Sequence, residues 1–472
     1  MRFLFVLPDL PTAPFTGAHT RPLTMLRAAA RAHEVIAVGA APPDADLGAL
    51  RELCVDVLSV TDAQARPASR RMLAAGRRMI SPVPLVGRGR SAAVAALVER
   101  ALAEYQPQAF FVETMYAVHY RVPELPTVVD LPDVVSGLCE AAAAAHPLRY
   151  AAARRQAAVA RRQEVELLRD VLPVTINDDD RQRLSRLGVT AFTVPLAVTP
   201  PSDEQLARRA KPADGLPGQT APAGSEVPGS ATEEALRRVE RASGPLRLLF
   251  VGSYGHAPNR EAAHFLVRRL APALRAASLP FHLTLAGRAA PDWLLHSTGT
   301  DITVLSDVAD LAPLYQSADV VVAPLAHGGG TKNKTLEAMA WGLPVVGTPQ
   351  AFTGLALPAG VGYLRAPLRA AEIARALGAL AADTARRTRL GQAARRYVLA
   401  AHSPALAEAQ AATVFDAVAA GGGVAEAVAL WLSRRAAEPA SGTTAEGPEA
   451  DDGAHPQTPA TADGAGNPAA VS

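Results

Sequence analysis

Cysteine is nearly absent from this chain, and no hydrophobic run is long. The 472 residues include two cysteines, Cys54 and Cys139, which argues against a disulfide framework or a cysteine-based zinc site and favours a reducing, cytosolic setting. No segment reaches the roughly 18 apolar residues of a membrane-spanning helix. Pro8 and Asp9 interrupt the apolar start too early for a signal peptide. We therefore expect a cytoplasmic protein, soluble or peripheral to a membrane.

Net charge and aromatic content are also small. The formal charge is +2, and the basic stretches carry no interleaved aromatic residues, so a nucleic-acid partner is not expected. Arginine is concentrated locally: residues 66–90 hold seven arginines and no acidic residue, and Arg154, Arg155, Arg161 and Arg162 recur along a predicted helix. Such surfaces suit peripheral contact with the inner face of an anionic membrane, or a lipid-phosphate acceptor. Solvated helix faces explain them equally well.

Lysine is rare among the 47 basic residues, since only Lys211, Lys332 and Lys334 are lysines. Two of the three fall within residues 331–335. The compact ammonium group of lysine fits around phosphate differently from the planar guanidinium of arginine. This stretch is therefore the first candidate for a phosphate site.

Composition divides the chain into two folded blocks. The length exceeds what one ordinary hydrophobic core requires, so two domains are expected. Residues 202–245 and 436–472 contain no aromatic residue and are rich in small, polar and charged residues, which predicts a disordered linker and a disordered acidic tail. The folded blocks are then 1–201 and 246–400, followed by helices at 401–435.

Both blocks alternate short apolar runs with amphipathic helical stretches, which is the pattern of parallel β–α–β units in doubly wound α/β sheets. Ligand groups in such sheets gather at the carboxyl ends of the strands. Two domains of this kind facing each other leave a cleft. The predicted strands are residues 2–7, 34–38, 55–60, 109–112, 127–130 and 171–176, and then 246–251, 282–286, 302–305, 319–324 and 344–348.

The segment 324–346, PLAHGGGTKNKTLEAMAWGLPVV, carries the clearest chemistry. A predicted strand leads into a glycine loop, a helix begins near Thr331, and Gly342 ends it. Glycines let a ligand approach the backbone, and the N–H groups at a helix start favour an anion. Lys334 and Glu337 occupy neighbouring helical positions, so a cation for phosphate stands beside a carboxylate for hydroxyl groups. This combination indicates a nucleotide-sugar site; a glycine-rich turn with a solvated lysine–glutamate pair is the alternative.

These residues closely resemble the donor-site signature of family 4 glycosyltransferases, which are retaining enzymes of the two-domain GT-B fold. The resemblance is strong over residues 246–400 and weak over 1–200. It implies two Rossmann-like domains, the first on the acceptor side and the second binding the nucleotide-sugar donor, with 401–435 packing back on the first. Other segments match in order: 249–253 with Pro258 and Asn259, 286–288, and Val308 with Asp310 and Leu311.

The resemblance assigns roles to individual residues. Lys334 should neutralise the donor diphosphate and Glu337 should accept hydrogen bonds from the ribose, and these two are the catalytic candidates. Arg288 offers a second cation or only a surface charge, and Asn259 either approaches the diphosphate or caps a helix. The full donor-binding set is Gly17, Ala18, Ser253, Asn259, Arg288, Ser306, Val308, Gly329, Gly330, Thr331, Lys334 and Glu337.

Several positions depart from the family pattern. Ser306, which with its neighbours lines the base, occupies a position that is usually glycine, so the nucleobase stays open. Gly329 stands where many members have a glutamate that touches the sugar, which indicates a variant active site. Pro132 replaces a histidine, so a contact from this segment to the donor sugar comes from Asp130 or Asp133, unless either one caps the next helix.

The loop at 9–21 resembles the family's first loop, in which Gly17 and Ala18 approach the diphosphate. A proline-rich connection with a threonine N-cap is the alternative. His19 is a candidate for facing the acceptor. His119 compensates for the missing histidine in one interpretation and is structural in the other.

The implied reaction moves a sugar from a nucleotide-diphosphate sugar to a glycan or lipid-linked acceptor with retention, as in cell-surface polysaccharide or glycolipid synthesis. The leaving diphosphate oxygen receives the acceptor's proton, and cations and backbone N–H groups hold the departing charge, so no cofactor and no metal ion are expected. Two alternatives of the same fold stay open: a non-catalytic nucleotide-sugar-binding or scaffold protein, and a nucleotide-sugar epimerase or hydrolase. A dinucleotide dehydrogenase is not expected, because no G-x-G-x-x-G follows a predicted strand.

Overall fold

The computed structural model describes residues 1–12, 17–61, 91–145, 150–210, 244–421, 429 and 433. The chain divides into a large unit, Met1–Trp431, and a small one, Leu432–Ser472, in which Ser433 is the described residue. The predicted tail at 436–472 and the arginine-rich stretch at 66–90 lie outside the described residues. The large unit contains two parallel sheets.

The first sheet is built from β1 (Arg2–Asp9), β2 (Glu34–Ala41), β3 (Asp56–Thr61), β4 (Ala109–Glu113), β5 (Thr127–Leu131), β6 (Leu172–Thr175) and β7 (Phe192–Thr193). These seven described strands run parallel in the order β3-β2-β1-β4-β5-β6-β7. Their apolar side chains are buried on both faces, which explains why the strands read as continuous apolar runs. The order reverses between β1 and β4, which is the switch point where such sheets bind ligands.

Helices flank this sheet on both faces, together with a 3-10 turn at Met115–Tyr120. Side-chain caps start two of the helices: Ser91 accepts from the N–H of Val94 over 3.3 Å, and Asn177 accepts from the N–H of Asp180 over 2.8 Å. The helices are α1 (Gly17–Ala30), α2 (Gly48–Leu53), α3 (Ala92–Tyr105), α4 (Val135–Ala145), α5 (Tyr150–Leu167) and α6 (Asp178–Ser185).

A polar helix, α7 (Asp203–Ala210), follows the first domain. The sequence places these residues in the disordered linker, but Leu206 packs against the core of the second domain and the carbonyl of Gln205 accepts a hydrogen bond from Gln316. Tertiary contacts therefore order a segment whose composition alone favours disorder. The rest of the predicted linker, residues 211–243, lies outside the described residues.

The second sheet is built from β8 (Leu246–Val251), β9 (Phe281–Gly287), β10 (Ile302–Ser306), β11 (Val320–Ala323), β12 (Val345–Gly347) and β13 (Tyr363–Arg365). The described strands run parallel in the order β10-β9-β8-β11-β12-β13. This is the Rossmann order, with a switch point between β8 and β11. Both sheets confirm the predicted pair of doubly wound domains.

The helices of the second block pack on this sheet, and the last one returns to the first domain. They are α8 (Ala257–Phe265), which continues through a π-helical turn (Leu266–Leu270) into α9 (Ala271–Ala276), then α10 (Asp292–Leu295), α11 (Ala312–Ser317), α12 (Asn333–Ala340), α13 (Ala370–Ala382), α14 (Thr384–Ala401) and α15 (Pro404–Ala419). Phe415 of α15 lies in the first core, with its ring centroid 5.3 Å from Phe3 and 5.6 Å from Phe5.

Candidate functional site

The candidate site lies at the carboxyl edge of the second sheet, beside the switch point. β11 ends at Ala323, the loop 324–332 follows, and α12 begins at Asn333. Gly328 and Gly330 have φ angles of 130° and 58°, in the region that glycine adopts at little cost. The backbone can therefore turn sharply before the helix.

Lys334, in the first turn of α12, directs its ammonium group to the end of β8. The ammonium donates a hydrogen bond to Oδ1 of Asn259 and lies 4.5 Å from the centre of the Phe250 ring. An ideal Cβ on Gly252 would stand 2.9 Å from Nζ, so a side chain at this position would displace the ammonium. Burial lowers the pKa of Lys334 to about 7, an effect that Glu337 opposes.

Glu337, one helical turn further along α12, is held by Tyr315. The Tyr315 hydroxyl donates to Oε2 of Glu337 over 2.9 Å, and the tyrosine ring stacks on Trp341 with 5.9 Å between centroids. Burial raises the pKa of Glu337, although the tyrosine hydrogen bond and Lys334 act in the other direction. The carboxylate is therefore fixed in direction, within electrostatic reach of the ammonium of Lys334.

Asn259 links Lys334 to the turn after β8. Its Nδ2 donates to the carbonyl oxygen of Ser253 over 2.8 Å, while its Oδ1 accepts from Lys334. The helix-cap alternative for Asn259 is wrong, because α8 begins at Ala257 with His256 as its N-cap. Ser253, Asn259 and Lys334 thus form one connected polar group at the β8 end.

The glycines of the loop pack against the first domain. An ideal Cβ on Gly329 would stand 2.5 Å from Oδ1 of Asp133 and 2.5 Å from Leu138, and one on Gly330 would stand 2.7 Å from the same carboxylate oxygen. A side chain at either position would require its neighbours to move. The two domains therefore meet where the glycine loop lies directly against a carboxylate.

Two polar side chains of the same loop lie at this boundary. Thr331 is 8% exposed, and its hydroxyl has no hydrogen-bond partner among the described residues, so a ligand group placed there would satisfy it. Lys332 donates to the carbonyl oxygens of Gly329 and Gly330 over 2.5 and 2.6 Å. Burial lowers the pKa of Lys332 to about 8, against the opposing effect of Asp133.

Arg288 and Ser306 occupy the neighbouring strand ends. Arg288 follows β9 and is exposed; it reaches His19 of α1 electrostatically, since the pKa of His19 is lowered by burial and further by Arg288. Ser306 ends β10 and donates to Asp307 over 2.5 Å, and Val308 is partly buried against the second core. The positions predicted to line the base thus share one edge of the sheet.

Gly17 and Ala18 are the first two residues of α1. Residues 13–16 before them lie outside the described residues, as does the threonine-cap alternative that falls there. His19, the third residue of α1, lies close enough to Arg288 of the second domain for that cation to lower its pKa further, in addition to burial.

The structure separates the two aspartates that were candidates for contacting the donor sugar. Asp130 is fully buried and ion-paired with Arg21, whose Nη2 lies 2.6 Å from Oδ1, so its charge is already balanced inside the domain. Asp133 instead faces Gly329 at the domain boundary. Burial raises the pKa of Asp133 to about 6, although Lys332 opposes this effect.

Two more first-domain groups lie near the end of β4. Burial raises the pKa of Glu113 to about 8, with Asp130 and Asp9 acting in the same direction. His119 lies in the 3-10 turn, with its ring centroid 4.1 Å from that of Tyr120. Burial at the end of the central strand therefore favours the protonated form of this carboxyl group.

Sequence reasoning missed three residues that hold this site together. Tyr315 stands 22 positions from Glu337, and Lys332 was noticed as a lysine without a role. Arg21 was noticed as part of the loop at 9–21, but no role was predicted for it. Among the described residues no group of three or more His, Cys, Asp or Glu is arranged for a metal ion, and no described helix is long and apolar enough to cross a membrane.

Comparison with known proteins agrees with this architecture. Residues 245–383 match the family model described as Glycosyl transferases group 1. Anabaena Alr3699/HepE in complex with UDP gives a TM-score of 0.56 at 14% identity, covering 88% of this chain and 100% of that one. Sucrose-phosphate synthase from Thermosynechococcus elongatus gives 0.61 at 16% identity, covering 89% and 100%.

A third structure, WaaG, a glycosyltransferase involved in lipopolysaccharide biosynthesis, gives a TM-score of 0.53 at 16% identity, covering 87% of this chain and 98% of that one. A search of curated protein sequences gave no match. Together with the two sheet orders, these likenesses confirm the predicted GT-B fold.

Proposed function

We propose that this chain is a retaining glycosyltransferase that moves a sugar from a nucleotide-diphosphate sugar to a glycan or lipid-linked acceptor. The observation that carries the proposal is the pairing on α12 of an ammonium and a carboxylate. Lys334 is bound to Asn259 at the β8 end, and Glu337 is fixed by Tyr315. Both stand at the switch point where parallel sheets bind ligands. The family model that matches residues 245–383 supports the same reaction class.

The two charged groups would bind different parts of the donor. Lys334 and the start of α12 would hold the diphosphate, with Arg288 as a second cation at the next strand end. Glu337 would accept hydrogen bonds from the ribose hydroxyls, because its oxygen is already oriented by Tyr315. Ser306 and its neighbours would line the base. Complexes of HepE with UDP and with UDP-glucose support this class of donor.

Transfer with retention would proceed on one face of the sugar. The bond from the anomeric carbon to the diphosphate oxygen breaks, the bond to the acceptor oxygen forms on the same side, and the acceptor's proton passes to the leaving diphosphate. The protein's task is to stabilise the departing negative charge, which the Lys334 ammonium, the Arg288 guanidinium and backbone N–H groups would do in a partly desolvated site. We therefore propose that no divalent ion or other cofactor is required.

Asp133 is the first-domain carboxylate that we assign to the transferred sugar. It meets the glycine loop at Gly329 and Gly330, whereas Asp130 is neutralised by Arg21. A carboxylate at this point can accept hydrogen bonds from sugar hydroxyls. This assignment explains how the site functions although Gly329 contributes no side chain.

The basic surface of the first domain supports a proposal about where the protein is located. Arg154, Arg155 and Arg162 on α5 are exposed, while Arg161 pairs with Glu140 over 2.5 Å. We propose a cytoplasmic protein that touches the anionic inner membrane face peripherally. Sedimentation with phosphatidylglycerol vesicles, compared with neutral phosphatidylcholine vesicles, tests this part.

Donor binding and turnover test the main proposal. UDP-, GDP- and ADP-sugars are screened for a rise in melting temperature, which binding must produce by mass action, and the stabilising donor is then assayed for release of its nucleotide. Lys334→Ala should abolish turnover with the fold intact. Arg375→Ala is the control, because Arg375 is 73% exposed on α13. Donor binding without turnover would favour a non-catalytic scaffold; no shift with any donor would refute the donor site.

A further inference from the structure

The ammonium of Lys332 contacts the backbone of the glycine loop, whereas that of Lys334 contacts Asn259 and the Phe250 ring. Its ammonium donates to the carbonyl oxygens of Gly329 and Gly330 over 2.5 and 2.6 Å. In a trans peptide the N–H points opposite to the C=O. When both carbonyls turn toward one cation, the N–H groups of Gly330 and Thr331 therefore point away from it. A loop that binds an anion needs its N–H groups directed outward in this way.

Without a cation this backbone arrangement is unfavourable. Two carbonyl oxygens would converge beside the carboxylate of Asp133, whose Oδ1 stands 2.5 Å from an ideal Cβ on Gly329. The negative ends of these groups repel one another, and the low polarity of a buried boundary strengthens the repulsion. The ammonium of Lys332 is the group that offsets it.

The charges that balance Lys332 belong to the first domain. Asp133 follows β5 and Asp180 lies in α6, and both carboxylates favour the charged form of Lys332. A second contact crosses the same boundary, where the N–H of Gly354 donates to Oδ2 of Asp179 over 3.1 Å. The groups that stabilise the cation are therefore close to it only when the two domains are together.

We propose that Lys332 is a positioning residue that couples the order of the donor loop to the approach of the first domain. The role in donor binding rests on the function proposed above. The carboxylates of Asp133 and Asp180 attract the ammonium electrostatically, the ammonium holds the carbonyls of Gly329 and Gly330, and the N–H groups of the loop then face the donor phosphate. The donor site is thus completed only in the closed protein, which limits transfer to water while the cleft is open.

Hydrogen exchange of the loop amides in the ligand-free, full-length chain tests the coupling. Lys332→Met removes the charge while keeping an unbranched side chain, and Asp133→Asn removes the opposing charge. Lys332→Met should speed exchange at Gly330 and Thr331 roughly tenfold, the effect of losing a hydrogen bond to a charged group. Asp133→Asn removes only an attraction to that ammonium, so it should speed exchange by a smaller factor. The exchange rate of the double variant should exceed that of the faster single variant by less than about twofold, because both changes remove the same electrostatic link.

Two further variants separate this role from general damage. Lys332→Arg retains a cation and should exchange close to the wild-type rate. Lys334→Met is the matched control, because it removes an ammonium from the polar group formed by Ser253, Asn259 and Lys334. When it is combined with Asp133→Asn, the change in exchange rate should equal the product of the two single changes. Circular dichroism and melting temperature establish that each variant folds; if Lys332→Met does not, Asp133→Asn and Lys332→Arg carry the comparison.

The inference is overturned if the loop amides of Lys332→Met or of Asp133→Asn exchange at the wild-type rate. It is also overturned if the rate increase in the double variant equals the product of the two single increases. Melting temperatures with UDP, GDP and ADP distinguish this result from a failure of the proposed function. If the exchange coupling holds but no nucleotide stabilises the wild type, the inter-domain link is supported and the donor site is refuted. If a nucleotide stabilises the wild type and Lys332→Met equally, the donor site stands and the positioning role falls.

Discussion

Donor affinity should depend on pH through Lys334. Burial lowers the pKa of this ammonium to about 7 from its ordinary 10.5, so its positive charge is lost as the pH rises through about 7. The diphosphate of a nucleotide sugar is an internal diester and does not titrate in this range. A change in affinity therefore reports the protein.

The size of the effect follows from the fraction of protein that carries the ammonium. One pH unit above its pKa, about one molecule in ten is protonated, so the apparent affinity falls about tenfold, or about 1.4 kcal/mol. Below the pKa the affinity is constant. Lys332, whose pKa burial lowers to about 8, adds a second decline at higher pH.

Isothermal titration of the stabilising nucleotide sugar from about pH 6 to about pH 8 measures this directly. Lys334→Arg is the comparison, because a guanidinium stays charged throughout the range. We expect the wild-type affinity to fall about tenfold between about pH 6 and about pH 8, mostly over the last unit, and the affinity of Lys334→Arg to change little over that range. An equal slope in both proteins, or a flat wild-type profile, would refute the reasoning.

Three other perturbations test contacts around the site. Tyr315→Phe removes the hydrogen bond to Glu337 and should weaken donor binding by about 1 kcal/mol in calorimetry; unchanged affinity would contradict the orienting role. Gly252→Ala places a Cβ 2.9 Å from the donor-site ammonium, inside the ordinary contact distance of 3.4 Å, so donor affinity should fall while the melting temperature changes little. Arg21→Met leaves Asp130 buried without its partner and should cost about 3–5 kcal/mol in urea unfolding; a loss near zero would show that Asp130 is solvated.

Long apolar strands could be predicted, and short edge strands could not. The eleven predicted strands are present with small shifts in their ends, because strands buried on both faces leave an apolar run in the sequence. Phe192–Thr193 and Tyr363–Arg365 were missed. Two or three residues carry no periodicity, and these segments become strands only by pairing with a neighbour already in place.

The candidate site shows the same division. The helix start after the glycine loop and the adjacency of Lys334 and Glu337 are local, since residues three apart on a helix are neighbours. The hydrogen bonds from Lys334 to Asn259 and from Tyr315 to Glu337 join residues 75 and 22 positions apart. No pattern in the sequence indicates such pairings, because the packing of different helices and strands creates them.

By itself the sequence determined the two doubly wound domains and the place of Lys334 at the start of the helix after the glycine loop, because backbone propensities, apolar runs and helical spacing act over short distances. Only the tertiary structure decided which aspartate lies at the boundary between the domains. Asp130 and Asp133 are three residues apart, yet one is neutralised by Arg21 inside the domain and the other lies against the glycine loop. Charge balance depends on neighbours in space, and folding alone supplies them.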